Sequence, residues 1–398
     1  MRLLMLSSEY PPNMVGGLGQ HVDNLAPALA ARGVDVHVVT PRDRGGESVE
    51  IPSAGVTIYR VDTPPRTGEL LMDTQLANRE LARVAEVLAE SLGGFDLIHA
   101  HDWLVAYAAV RLKHQWKLPL VATIHATERG RCGGYLSTDL SRAINRVEDD
   151  LASEGWRVIV TSYYMAHELI TFFGEPNDKV DVIPNAVTVA DFARQPATAV
   201  ATLRRRYATD DERVVFYVGR LVWEKGLHVL LEAAPRILAE ARKVRFVLAG
   251  RGPMLDDLRI QRDRLGLGQA VQFAGFVSDA DKRLLYQAAN VAAFPSLYEP
   301  FGIVALEAMA AQAPVVVSSV GGLSEVVENH VTGMTSQPGD PDSLAWSIVH
   351  TLNRPDWAAA RVENAYRRLV DNFNWERVAT RTREVYDRVL EERRQTDW

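Results

Sequence analysis

The chain has one cysteine, Cys132, and a lone thiol closes no internal disulfide and completes no cysteine-based metal site. A reducing compartment fits that count. Basic charge is also short: 44 Lys and Arg against 51 Asp and Glu leave a net charge of −7. That balance excludes a nucleic-acid binder relying on a broad basic field, but not a local cation cluster of the kind a small anion needs. No apolar run approaches the length that spans a bilayer. The opening Met1-Arg2-Leu3-Leu4-Met5-Leu6 mimics a short signal peptide, yet Ser7-Ser8-Glu9-Tyr10-Pro11-Pro12 stands where an apolar core would continue. It therefore reads as a first strand, and the cytoplasm is the expected location. Short tandem repeats and low-complexity tracts are missing as well.

At 398 residues, 47% hydrophobic and 24% charged, the chain is globular and too long for one ordinary core. Short apolar runs, many β-branched and bounded by turn residues, predict strands at 2–6, 35–40, 56–61, 97–100, 120–124, 158–161 and 180–183. Amphipathic helices such as 22–31 and 78–92 lie between them. The pattern lapses at 187–211 into a polar, Ala- and Arg-rich stretch. It then restarts with strands at 214–218, 245–249, 271–273, 291–294 and 315–318. Strand-helix alternation predicts parallel sheets covered on both faces. The expected organisation is α/β, with doubly wound domains at 1–190 and 191–374 joined near 185–211. A final helix, about 375–398, has the option of packing back on the first domain.

Ligands of such sheets gather beyond the carboxyl ends of the strands. After the first strand, Met14-Val15-Gly16-Gly17-Leu18-Gly19 opens a helix, where backbone N–H groups approach an anion. The spacing is neither the dinucleotide fingerprint nor a P-loop, and a plain strand-to-helix turn is the alternative. After the fourth comes His99-Ala100-His101-Asp102-Trp103. No distant partner is spaced to complete a metal set, so a satisfied structural histidine and a polar group touching substrate both remain. After the fifth, His125 can bond a sugar hydroxyl, and Arg129 and Arg131 can hold an anion or form surface ion pairs.

In the second half, Gly219-Arg220-Leu221-Val222-Trp223-Glu224-Lys225-Gly226 follows a strand and sets two cations five residues apart across a turn, suited to one diphosphate. Glu299-Pro300-Phe301-Gly302-Ile303-Val304-Ala305-Leu306-Glu307 is the strongest signal. A helix starting near Gly302 offers free N–H groups to a phosphate, while Glu299 and Glu307 offer carboxylates to hydroxyls. Glu307 also suits the helix dipole as an acid of the first turns. Gly321-Gly322 again precedes a helix beyond a strand.

In order, the Gly16-Gly17 loop, His101-Asp102-Trp103, His125, Pro184-Asn185, Gly219-Arg220, Lys225-Gly226, the Glu299 and Glu307 pair spaced as E-x7-E, and Gly321-Gly322 resemble the retaining glycosyltransferases of family 4. The likeness covers nearly the whole chain and leans to the glycogen synthase-like branch. It implies a GT-B fold, with two Rossmann-like domains facing a central cleft, and transfer of glucose from ADP- or UDP-glucose to an α-glucan or maltooligosaccharide. Arg220 and Lys225 are then expected on the donor diphosphate, helped by backbone at Gly16, Gly17, Gly302 and Ile303, with Phe301 beside them. Glu307 is expected on the ribose, Glu299 on the transferred sugar, His125 against that sugar, and Phe276 and Val277 at the base. His101, Asp102, Arg129 and Arg131 fall on the acceptor side.

No metal or other cofactor is expected, since the Asp279-Ala280-Asp281 pair is accounted for by capping of the helix it opens. The expected partners are a nucleotide-sugar and a carbohydrate. Longer glycogen synthases carry K-x-G-G in the first loop, where this chain has Met14. That departure, together with Arg129 and Arg131, keeps a phosphorylated sugar open as the acceptor. A regulatory module that only binds nucleotide-sugar is the non-enzymatic alternative.

Overall fold

Leu3, Leu4, Met5 and Leu6 have no exposed surface, nor do Val36, Val38 and Val39 or Leu97, Ile98 and Ala100. Runs this apolar suit strands buried on both faces of a parallel sheet. The structure, a computed structural model, describes residues 1–396 and 398. Its strands in chain order are β1 (Arg2–Ser7), β2 (Asp35–Pro41), β3 (Val49–Ser53), β4 (Val56–Val61), β5 (Leu97–His101), β6 (Leu120–Ile124) and β7 (Arg157–Val160). They continue with β8 (Val180–Val182), β9 (Arg213–Val218), β10 (Val244–Ala249), β11 (Val271–Gly275), β12 (Val291–Phe294), β13 (Val315–Ser318) and β14 (Met334–Ser336).

Among the described residues these strands form an eight-stranded sheet, β3-β4-β2-β1-β5-β6-β7-β8, and a six-stranded sheet, β11-β10-β9-β12-β13-β14. The β3–β4 pair is antiparallel, and the other neighbours are parallel. In each sheet the strand order reverses beside the first strand, between β1 and β5 and between β9 and β12. Those are the switch points beyond which ligands of doubly wound sheets bind. Register sets Ser7 opposite His101 and His101 opposite Thr123, so three strand ends finish level.

The chain divides into two compact units, Met1–Asn185 with Trp375–Trp398, and Ala186–Asn374. The helix Trp375–Arg394 belongs to the first. There Tyr386 bonds the His99 ring at 2.6 Å, Glu392 accepts from Trp156 at 2.7 Å, and Arg388 meets Asp181 at 2.7 Å.

Two edge strands escape the sequence reading. β3 is largely exposed and holds Pro52, and β14 has three residues, so neither forms an apolar run. Two helices also start earlier than their apolar stripes suggest, at Gly17 and Leu70. Among the described residues no helix is long and apolar enough to cross a membrane.

Candidate functional site

In the second unit, β9 ends at Val218 and the chain turns through Gly219 and Arg220 into a tight turn, Trp223–Lys225. Gly226 closes it at φ 67°, where a Cβ would stand 1.9 Å from the Pro295 carbonyl oxygen. Only glycine lets this turn lie against the end of β12. Leu297 N and Tyr298 N donate to the Glu224 carbonyl at 2.8 and 3.3 Å, fastening the two loops. Lys225 Nζ consequently reaches Glu299 Oε2 at 2.7 Å, and Ser296 Oγ donates to the same oxygen at 3.1 Å. Arg220, half exposed, meets Glu224 at 3.3 Å. Two cations and two acids thus gather at the switch point.

The helix Ile303–Ala310 begins at Gly302, φ 104°, with no side chain capping its first N–H groups. Glu307 is buried. Its Oε1 accepts from Lys282 Nζ at 2.9 Å and its Oε2 from Tyr286 at 3.1 Å. Lys282 also meets Asp279 at 3.1 Å. Burial opposes the Lys282 charge, but Glu307 and then Asp279 outweigh it and raise its pKa.

Ser278 Oγ accepts from Asp281 N, so the Asp279 and Asp281 pair opens a capped helix. The Phe301 ring belongs to the core, 5% exposed and 6.1 Å from Phe373, and its backbone lies next to the helix start. Phe276 is exposed, with the Arg251 guanidinium 5.3 Å above its ring, while Val277 packs against the core.

In the first unit, the glycine loop runs into the helix Gly17–Ala30, again without a side-chain cap. Val15 N and Gly16 N donate to Glu9 Oε2 at 2.9 and 3.0 Å. A carboxylate therefore accepts from the Gly16 amide, one of the two backbone groups expected on a diphosphate, while Gly17 is not among its partners. Glu9 was not foreseen; its signal is a lone acid in the loop between strand and helix.

His99 is the satisfied structural histidine, bonded to Tyr386 and, at 2.7 Å, to Thr123. His101 and Asp102, expected on the acceptor side, are both buried at the end of β5. His101 has no exposed surface, and its Nδ1 lies 3.3 Å from His125 Nε2. Asp102, at φ 61°, turns its carboxylate onto the His125 backbone N–H at 2.6 Å. Burial raises its pKa to about 6, against the backbone N–H groups of His125 and Ala126 and the charge of Arg131. Asp102 is thus a clamp on the segment that presents His125.

His21, the fifth residue of the helix, enters the same cluster, with ring centroids 4.7 Å from His125 and 5.3 Å from His101. Desolvation lowers the pKa of His21 and of His125 to about 3 and that of His101 well below its usual value. The sequence reading saw no third ligand here, because 80 residues separate His21 from His101 and only the β1–β5 pairing joins them.

Arg129 and Arg131 lie on the short helix Glu128–Arg131. The Arg129 guanidinium sits 5.2 Å over Phe172, and Arg131 meets Glu128 at 3.7 Å. Behind them Glu148, buried, accepts from Glu128 N with both oxygens at 2.9 Å, and burial pushes its carboxyl up to about 8.

Residues 15–191 match the model of Glycosyltransferase Family 4, and residues 200–368 that of Glycosyl transferases group 1. An uncharacterised glycosyltransferase of Methanocaldococcus jannaschii is 38% identical over 98% of this chain and 99% of its own. A glycogen synthase of Mycobacterium tuberculosis is 38% identical over 97% and 94%. Among solved structures, a sucrose-phosphate synthase from Thermosynechococcus elongatus superposes with a TM-score of 0.84 at 27% identity, covering 98% and 99%.

Proposed function

Since the chain belongs to the glycosyltransferases of the GT-B fold, hexosyltransferases that draw on nucleotide-sugars, we propose that it moves glucose from ADP- or UDP-glucose to an α-glucan or maltooligosaccharide, with retention and without a metal. The observation that carries this is the β9–β12 switch point, where Lys225 stands 2.7 Å from Glu299 and Arg220 borders the same turn. Two cations suit the charge of a diphosphate leaving group. Glu299 then has a sugar hydroxyl to bind once the phosphates draw Lys225 away.

Phe276 and Val277 face the base, Glu307 the ribose, and the free N–H groups of Gly302 and Ile303 the phosphate. His125 stands against the transferred sugar, held by Asp102. The C1–phosphate bond breaks and a C1–acceptor bond forms on the same face. The acceptor proton passes to the departing phosphate oxygen, so no side chain serves as nucleophile.

The glycogen synthase relative and the partners of Arg129 and Arg131 inside the fold support a neutral acceptor. A phosphorylated sugar, the class named in the sucrose-phosphate synthase neighbour, is the alternative. The cytoplasm is proposed as the location.

The test is a screen of donors against maltooligosaccharides and sugar phosphates, with mass-spectrometric detection and NMR of the new anomeric centre. An α-linked glucan product, formed equally well in excess EDTA, is expected. An inverted linkage, or activity lost in EDTA and restored by magnesium or manganese, contradicts the reading. Nucleotide-sugar binding with no product for any acceptor points instead to a regulatory module.

A further inference from the structure

His21, His101 and His125 each bring a ring nitrogen within 4.8 Å of the other two. His21 and His101 are 3% and 0% exposed, and the Nε2 atom of each is buried with no hydrogen-bond partner among the described residues. A buried imidazole nitrogen left this way costs free energy unless something fills its lone-pair direction. The Nδ1–H of His21 donates to Asn185 Oδ1, which fixes the tautomer and leaves Nε2 as the lone-pair nitrogen. A neighbour that orients the ring through its other nitrogen is how proteins set histidine ligands. His99, beside them, is already bonded at both nitrogens and stands outside the set.

We propose that these three imidazoles form a site for a divalent ion of the zinc class, and that its occupancy stops turnover. Three nitrogens with an open fourth position suit a tetrahedral ion. Metal–nitrogen bonds of ~2.0–2.1 Å place ligand nitrogens about 3.4 Å apart, so small ring rotations close the observed cluster onto an ion. The ion replaces the His101–His125 contact, with each ring proton left on the nitrogen not used. The inhibitory half rests on the reading that His125 faces the transferred sugar: a ring held by the ion cannot attend that sugar.

The full chain, stripped of metal, is titrated with cobalt(II) and, separately, with zinc. One equivalent of cobalt is expected, with the visible d–d bands of a four-coordinate ion and no thiolate charge-transfer band. X-ray absorption of the zinc-loaded wild type is expected to show three imidazoles at ~2.0–2.1 Å, which needs no variant to fold. His21→Gln and His101→Gln, with melting checked, are expected to lose the cobalt spectrum. Stoichiometric zinc is expected to cut turnover at least tenfold, reversed by EDTA. No cobalt binding, or a coordination shell without the three imidazoles, overturns the site. Binding that leaves turnover intact overturns the inhibitory half alone. If no donor gives turnover, the proposed function fails while the cobalt spectrum still decides the site.

Discussion

The two units share a doubly wound plan, yet they bury polar groups at their switch points in opposite ways. The first unit gathers His21, His101 and His125 with Asp102 and Glu148, and desolvation drives each toward its neutral form: imidazoles down, carboxyls up. The second sets opposite charges against each other, Lys225 with Glu299, Lys282 with Glu307 and Arg220 with Glu224. A desolvated charge needs either a partner or a proton shift. A neutral cluster suits an uncharged sugar or a metal. A charged cluster suits an anion, because the ligand inserts into pairs that already exist.

The comparison breaks most visibly at Glu307. Removing one partner of a buried pair leaves the other charge uncompensated, so Glu307→Ala should cost about 3 kcal/mol, the low end for such pairs because Lys282 keeps Asp279. Differential scanning calorimetry should then show a fall of roughly 6–12 °C in melting temperature. Glu307→Gln, which keeps an acceptor for Tyr286, should lose less. Identical losses in the two variants would mean that shape, not charge, matters there.

A smaller effect is expected at the Lys225–Glu299 pair, which is nearer the surface and serves the ligand. Each of Lys225→Ala and Glu299→Ala should lower turnover by about tenfold to a hundredfold, from lost contacts of about 1.5–3 kcal/mol. Lys225→Ala and Arg220→Ala should weaken nucleoside diphosphate binding far more than monophosphate binding, since the cations face the terminal phosphate. Equal losses for both nucleotides, read by calorimetric titration, would move these cations off the diphosphate.

The second unit's charges were far more legible in the sequence than the first unit's cluster. Arg220, Lys225 and Glu299 each follow a strand, and a charge just beyond an apolar run announces itself. Lys282 did not, because inside a polar helix opened by Ser278-Asp279 a lysine reads as surface. Parallel strands, being apolar on both faces, were legible for the same reason, while edge strands β3 and β14 lacked that signal. The histidine cluster depends on strand order: His21 and His101 become neighbours because β5 lies beside β1, across three intervening strands of sequence. Burial also changed meanings. Phe301 and His101 sit in motif positions, but a position names a loop and does not say which way a ring points.

The subtlest difference between the units is one of pH, and Glu148 isolates it. Burial, the largest cause, lifts its carboxyl from 4.5 to about 8, against the Glu128 N–H and the Arg131 charge. Between those two values the folded unit holds a proton that the unfolded chain has released, so stability falls as pH rises through the window. The histidines act on the other side. With His21 and His125 lowered to about 3, the unfolded chain takes up protons below 6.5 that the folded unit refuses, and stability falls on acidification. Asp102, raised to about 6, shares the sign of Glu148 over a lower window. A Glu148→Gln variant removes one contribution and leaves the others, so the difference between variant and wild type cancels them. Glutamine keeps a carbonyl acceptor for Glu128 N, which limits the structural cost at pH 5. The melting temperature of the variant should match wild type within a degree or two near pH 5. It should exceed wild type by a few degrees near pH 8.5, at about 2–4 °C per kcal/mol for units of this size. Parallel melting curves across that range would show that Glu148 keeps an ordinary carboxylate pKa and that the first unit, like the second, tolerates a buried charge.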